Sequence, residues 1–129
     1  MNNGKSGFIL AALSSYLNYD GQGSQVGSTS VAASSSDVSK ATVYAMLGAA
    51  GDNSVYIIAI NKSSTALSAQ IQINSPPTAL SSGKAYQLTS ATNTSLGHAP
   101  VDSGLTLSVA GAALTYVMPA MSVSTLVIK

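Results

Sequence analysis

Tyrosines and side-chain amides are the residues of this chain best equipped to hold a ligand. The six tyrosines are Tyr16, Tyr19, Tyr44, Tyr56, Tyr86 and Tyr116, and tryptophan is absent. A tyrosine ring offers an apolar face for stacking, and an amide offers a directional donor and acceptor. A sugar ring asks for both, because it presents apolar C–H faces and a polar rim. Tyr44, Tyr56 and Tyr86 are the platform candidates, with Gln70, Gln72 and Gln87 as hydrogen-bonding companions, and the competing reading for each tyrosine is half-buried core with its hydroxyl at the surface. Tyr116 shares a strand face with Leu114 and Met118, which points to the core instead.

Catalytic chemistry has little to start from. The chain has no Glu and no Cys, one imidazole (His98) and four aspartates, Asp20, Asp37, Asp52 and Asp102. Glycoside hydrolysis generally needs two carboxylates flanking the bond, and all four aspartates lie in loop-like sequence. No Gly-x-Ser-x-Gly elbow accompanies His98, so a Ser–His–Asp triad lacks its local frame. The expectation is a protein that is not an enzyme. One His without Cys rules out an ordinary zinc site. A cofactor is not required on this reading. Calcium is the metal that the loops could take, with Asp20 and Asp52 as weak ligand candidates, but neither loop follows the EF-hand pattern. The competing reading is that both aspartates fold onto their own backbone in turns.

The rest of the composition narrows the partner. Apolar residues make up 46% of the 129-residue chain and charged residues 7%, with no Arg. The net charge of +1 is spread over isolated lysines, so the clustered positive charge that a nucleic-acid binder needs is missing. No apolar run approaches the roughly 18 residues that would span a membrane. Lys5 followed by Phe8–Leu13 faintly resembles a secretion signal, although the apolar run is shorter than the usual roughly 7–15 residues. A surface carried by Ser, Thr, Asn and Gln suits a secreted, extracellular bacterial protein that acts on polysaccharide.

The elements that must position these side chains are short strands. Ser28–Ala33, Ala41–Leu47, Val55–Asn61, Ala66–Asn74, Lys84–Thr89, Leu105–Val109, Ala113–Met118 and Val123–Ile128 are rich in β-branched residues and are separated by Gly, Pro, Asn and Ser clusters. The expected fold is all-β: one antiparallel β-sandwich of about eight strands over residues 1–129. Phe8–Leu17 reads as either a short helix or a strand. Gln70-Ile71-Gln72-Ile73 alternates as a half-buried strand does, whereas Val55–Ile60 has no polar side and should be covered on both faces. These two strands read as a hairpin. The ligand face is then expected where Gln70 and Gln72 adjoin the tyrosine-bearing strands.

Several runs, taken in order, resemble a known family. They are Tyr16-Leu17-Asn18-Tyr19-Asp20-Gly21, Val26-Gly27-Ser28-Thr29-Ser30-Val31, Val43-Tyr44-Ala45, Ile60-Asn61-Lys62 and Met118-Pro119-Ala120-Met121-Ser122-Val123 continuing to Val127. Together they resemble the C-terminal β-sandwich of family 44 glycoside hydrolases, which are β-glucanases. The general look is also similar to stand-alone carbohydrate-binding modules, including family 81. In family 44 the catalytic glutamates sit on a separate barrel domain, so the resemblance implies no catalytic residue here. It implies a module for plant cell-wall β-glucan, meaning β-1,4-glucan with mixed-linkage glucan or xyloglucan as further ligands. The alternative is a structural accessory sandwich that serves a glycoside hydrolase catalytic domain and has no ligand of its own. An adhesion or protein-interaction module is a third expectation.

Overall fold

In a computed structural model, the structure describes residues 18–20, 22–27, 29–49, 51–89 and 101–129. They form eight strands: β1 (Thr29–Val31), β2 (Ala41–Leu47), β3 (Val55–Asn61), β4 (Leu67–Gln72), β5 (Ser82–Leu88), β6 (Val101–Ser108), β7 (Ala113–Met118) and β8 (Ser122–Ile128). Six of them make one sheet in the order β1-β2-β3-β8-β5-β6, and β4 and β7 make a second. Every pairing is antiparallel. The expected all-β sandwich is therefore the observed fold. The Phe8–Leu17 segment lies outside the described residues.

Strand pairing differs from expectation at one place. β3 and β4 do not form a hairpin: β3 pairs β2 and β8, and β4 pairs β7. Both edges of β3 are taken, so the chain after Asn61 must leave the large sheet. Asn61 anchors that exit. Its side-chain amide is 1% exposed and donates to the carbonyls of Thr65 and Pro119, both at 2.9 Å, and of Met118 at 3.3 Å. Its Oδ1 accepts from the Ser63 N–H and hydroxyl, both at 2.9 Å. One buried side chain thus joins the β3–β4 turn to the β7–β8 turn. Boundaries also move: β5 begins at Ser82, β6 at Val101 and β8 at Ser122, each earlier than the residue pattern suggests, and β1 and β4 are shorter than it suggests.

Burial follows the period-2 rule. Odd-numbered residues of β3 (Val55, Ile57, Ala59) pack with Leu114, Tyr116 and Met118 of β7 and Leu126 and Ile128 of β8 in the core between the sheets. Even-numbered residues of β3 (Tyr56, Ile58) face the other way. There they join Met46, Leu88, Val123 and Val127 in a second apolar cluster on the outer face of the large sheet, with Tyr19 across it. Ile58 and Leu88 are 0% exposed, so this cluster on the outer face is covered, whereas Tyr44 at 48% is not. β3 is accordingly buried on both sides, as its uniformly apolar sequence requires. β8 is buried throughout although it carries Ser122, Ser124 and Thr125.

The β6–β7 connection, residues 109–112, ends in a two-residue turn closed by the Ala110–Ala113 bridge. Gly111 (φ 59) and Ala112 (φ 60) both have left-handed backbone, and Ala110 and Ala113 exchange hydrogen bonds of 2.9 and 3.1 Å. Two positive φ values in succession match the right-handed twist of the flanking strands. Among the described residues no helix is long and apolar enough to cross a membrane.

Candidate functional site

The three platform tyrosines do share one face, the outer face of the large sheet, but only Tyr44 is available on it. Tyr44 on β2 is 48% exposed. Beside it lie Val38, also exposed, and Thr42, with Ser30, Ser34 and Ser35 among the other residues that line a depression of about 420 Å³. Thr42 and Tyr44 sit two apart on one strand, so their common face was readable from the sequence. Val38, in the loop between β1 and β2, carried no such signal.

Tyr56 is buried. Its phenol donates to Asp52 Oδ2 at 2.6 Å, and its ring centroid is 5.8 Å from that of Tyr19. Burial, then the bond to Asp52, push its pKa above the ordinary phenol range. Tyr86 is half-buried and meets the edge of Tyr19 at 5.1 Å and 65°. Tyr19 therefore stands between two of the three expected platform rings. Each ring is used in packing, and no flat coplanar surface of three tyrosines exists.

The amides separate from the tyrosines altogether. Gln87 points into the sandwich, where its Nε2 donates to the Tyr116 hydroxyl at 2.7 Å. That hydroxyl donates in turn to Ser124 Oγ at 2.8 Å. The chain Gln87–Tyr116–Ser124 satisfies three polar groups inside the core. Tyr116 is 1% exposed, in line with its expected core role. Gln70 and Gln72 are exposed on the opposite side of the sandwich, on the outer face of β4. The expected adjacency of these glutamines to the tyrosine strands fails because β4 pairs with β7, whose only tyrosine faces inward.

The aspartates are engaged in turns and ion pairs. Asp20 Oδ1 accepts from the N–H of Gln22 at 2.8 Å and of Ser24 at 3.2 Å. Asp52 Oδ1 accepts from the Ser54 N–H at 3.0 Å. Hydrogen bonds from Ser54 and then Tyr56 hold the Asp52 carboxyl below the usual carboxylate value. The Asp52 side chain also fills the space where a Cβ on Gly48 would sit, 2.6 Å from its Oδ2. Asp37 pairs with Lys40 and Asp102 with Lys84, each at 3.7 Å. Among the described residues no three His, Cys, Asp or Glu side chains gather as a metal site. His98 lies outside the described residues.

A larger feature lies between the sheets. A cleft of about 1000 Å³ lies between β2 and β4, and residues 31–37 and 73–77 also line it. Its walls are the inward residues of β2, β3 and β4, such as Val43, Ala45, Ile57, Ala69 and Ile71, and among the described residues no aromatic lines it. Sequence reading did not anticipate it, because it depends on how far the small sheet extends over the large one.

The fold and these sites define an all-β sandwich whose described aspartates are engaged in turns and ion pairs. No family model matches the chain. A xyloglucanase of Paenibacillus polymyxa from glycoside hydrolase family 44 superposes on 95% of this chain with a TM-score of 0.83 and 27% identity. A family 44 endoglucanase from Clostridium acetobutylium ATCC 824 does so over 99%, with a TM-score of 0.85 and 25% identity. The beta-mannanase/endoglucanase A of Caldicellulosiruptor saccharolyticus is 43% identical over 76 residues, which is 57% of this chain. The chain spans 23% and 24% of the two solved structures and 6% of the curated relative. It is thus similar to a small part of glycoside hydrolases, consistent with the family 44 sandwich that the sequence resembles.

Proposed function

We propose that this chain is the non-catalytic accessory sandwich of a β-glucan-directed glycoside hydrolase, and that it touches the glucan chain through Tyr44. The observation that carries the reading is the superposition on 95% of this chain of less than a quarter of a xyloglucanase. The lack of any Glu and the engagement of the described aspartates in turns and ion pairs support a non-catalytic part. Tyr44 supports the glucan contact, since it combines an exposed ring with hydroxyl-bearing neighbours. A single platform predicts weak binding. Such a chain works outside the bacterial cell, where its polymer is. Calcium is not needed for the Tyr44 contact.

The test is affinity electrophoresis with xyloglucan and mixed-linkage β-glucan, and calorimetry with cellopentaose, on the chain and on Tyr44→Ala. Retardation that disappears in Tyr44→Ala supports the contact. Release of reducing sugar by the purified chain would overturn the non-catalytic reading. A second reading, an accessory sandwich without any ligand, is favoured by the packing of Tyr56 and Tyr86 against Tyr19. It predicts no retardation by any β-glucan.

A further inference from the structure

The edge of β2 is open at one residue beside Tyr44. Lys62 N–H donates to the Lys40 carbonyl at 2.8 Å, and Gly48 N–H to the Ser54 carbonyl at 3.1 Å. Bonded and non-bonded pairs alternate in an antiparallel ladder. The register Ala41↔Asn61 to Leu47↔Val55 therefore turns the peptide groups of the even-numbered β2 residues to β3. Those of Ala41, Val43, Ala45 and Leu47 turn the other way. Ala45 and Leu47 lie opposite Val31 and Thr29 of β1. The Ala41 N–H donates to the Asp37 carbonyl at 3.0 Å. Val43 lies between them. β1 stops at Val31, and no backbone partner meets Val43 on this side among the described residues.

One peptide group is too little for an added strand, which bonds a row of them. The Val43 opening belongs instead to the depression of about 420 Å³ that Tyr44 lines. The chain between β1 and β2 supplies the opposite wall, with Ser34, Ser35 and Val38. Two contacts hold that wall in place. The Lys62 ammonium donates to the Val38 carbonyl, and the Lys40 N–H donates to the Asp37 carbonyl at 3.1 Å. Among the described residues no charged side chain lines the depression, so an anion finds no counter-charge there. What it offers is an exposed ring, an exposed valine, the Thr42 and serine hydroxyls, and one N–H and one C=O fixed by the strand. An uncharged polyol ring uses all of these, with its C–H face on the apolar groups and its hydroxyls on the polar ones. The volume is near the small end of the roughly 300–1,000 Å³ of small-ligand sites, which suits a ring or two rather than a length of polymer.

We propose that Val43, Thr42 and residues 34–38 form a subsite for one terminal or branching pyranose ring, seated against Tyr44. The Val43 peptide and the Thr42 hydroxyl bond its hydroxyls. This subsite rests on the Tyr44 contact proposed above and gives that contact its specificity, for chain ends or branches rather than for the interior of a glucan chain.

The experiment is an NMR titration of the full chain with cellobiose, cellopentaose and a xylose-branched gluco-oligosaccharide, read at the Val43 amide and the Tyr44 ring. Both signals should shift with each ligand. Affinity should change by less than about threefold from cellobiose to cellopentaose, because no further ring is held. Binding of the branched ligand about tenfold tighter than cellopentaose identifies a branch as the ligand, and equal binding identifies the chain end. Thr42→Val keeps the side-chain shape and the Tyr44 ring, and it should weaken binding by about twofold to tenfold with an unchanged thermal melt. An unchanged affinity in Thr42→Val overturns the subsite. So does an affinity that climbs by about tenfold or more with chain length, or a shift at Tyr44 without one at Val43. These results leave the Tyr44 contact standing, whereas the lack of any shift at either residue overturns both.

Discussion

Asn61 reaches from the end of β3 to the Pro119 carbonyl, 58 positions along the chain, with a hydrogen bond of 2.9 Å. The contact ties the two turns where the chain passes between the sheets. A buried amide with all its partners present is costly to disturb, because each orphaned carbonyl keeps its desolvation penalty. Asn61→Leu should destabilise the fold by about 3 kcal/mol or more. Urea unfolding measures this, and a loss below about 1 kcal/mol would show that water takes over the amide's role.

Tyr116 supplies a second buried network. Tyr116→Phe keeps the ring but leaves Gln87 Nε2 without its acceptor and Ser124 without its donor. The expected cost is about 1–3 kcal/mol. A double-mutant cycle of Tyr116→Phe with Gln87→Leu should show coupling, since removing both partners costs less than the sum.

Asp52 and Tyr56 give the protein a pH signature. The folded Asp52 pKa lies below its ordinary value of 3.8, so its contribution is present above that value. It is lost as pH falls through the folded pKa. Tyr56 runs the other way: its folded pKa is raised above 10.0, so its contribution holds below that value and is lost at higher pH. Asp52→Asn should therefore flatten part of the acid limb of a melting-temperature profile, and Tyr56→Phe part of the alkaline limb. Unchanged limbs in both variants would remove this pair from the account.

Ala112 occupies left-handed backbone at φ 60, where a Cβ is unfavourable. Ala112→Gly should stabilise the chain by about 1 kcal/mol, the relief of strain exceeding glycine's extra entropy in the unfolded state. Thermal melts would register this as a rise of a few degrees. A fall would mean that the Ala112 methyl packs usefully.

Glucan retardation at Tyr44 should be almost independent of salt. Stacking and neutral hydrogen bonds carry no ion-pair term to screen, so the change between low and about 1 M NaCl should stay within about twofold. A steep salt dependence would point to Lys40 and Asp37 at the cleft rim rather than to Tyr44.

The sequence by itself determined the fold class and most strand positions. β2, β3 and β7 lie where β-branched density and turn residues placed them, and the two-sided burial of β3 and the core role of Tyr116 followed from periodicity. These are local properties, written in the alternation of side chains along a few residues. Tertiary structure alone decided which strands pair and which rings stay open. Tyr44, Tyr56 and Tyr86 look equivalent in their strands, yet Tyr19 covers two of them. Gln70 and Gln72 look like partners for those rings, yet β4 belongs to the other sheet. Pairing and coverage depend on contacts between residues far apart in the chain, and a period of two records only that a side chain leaves the strand, not what it meets there.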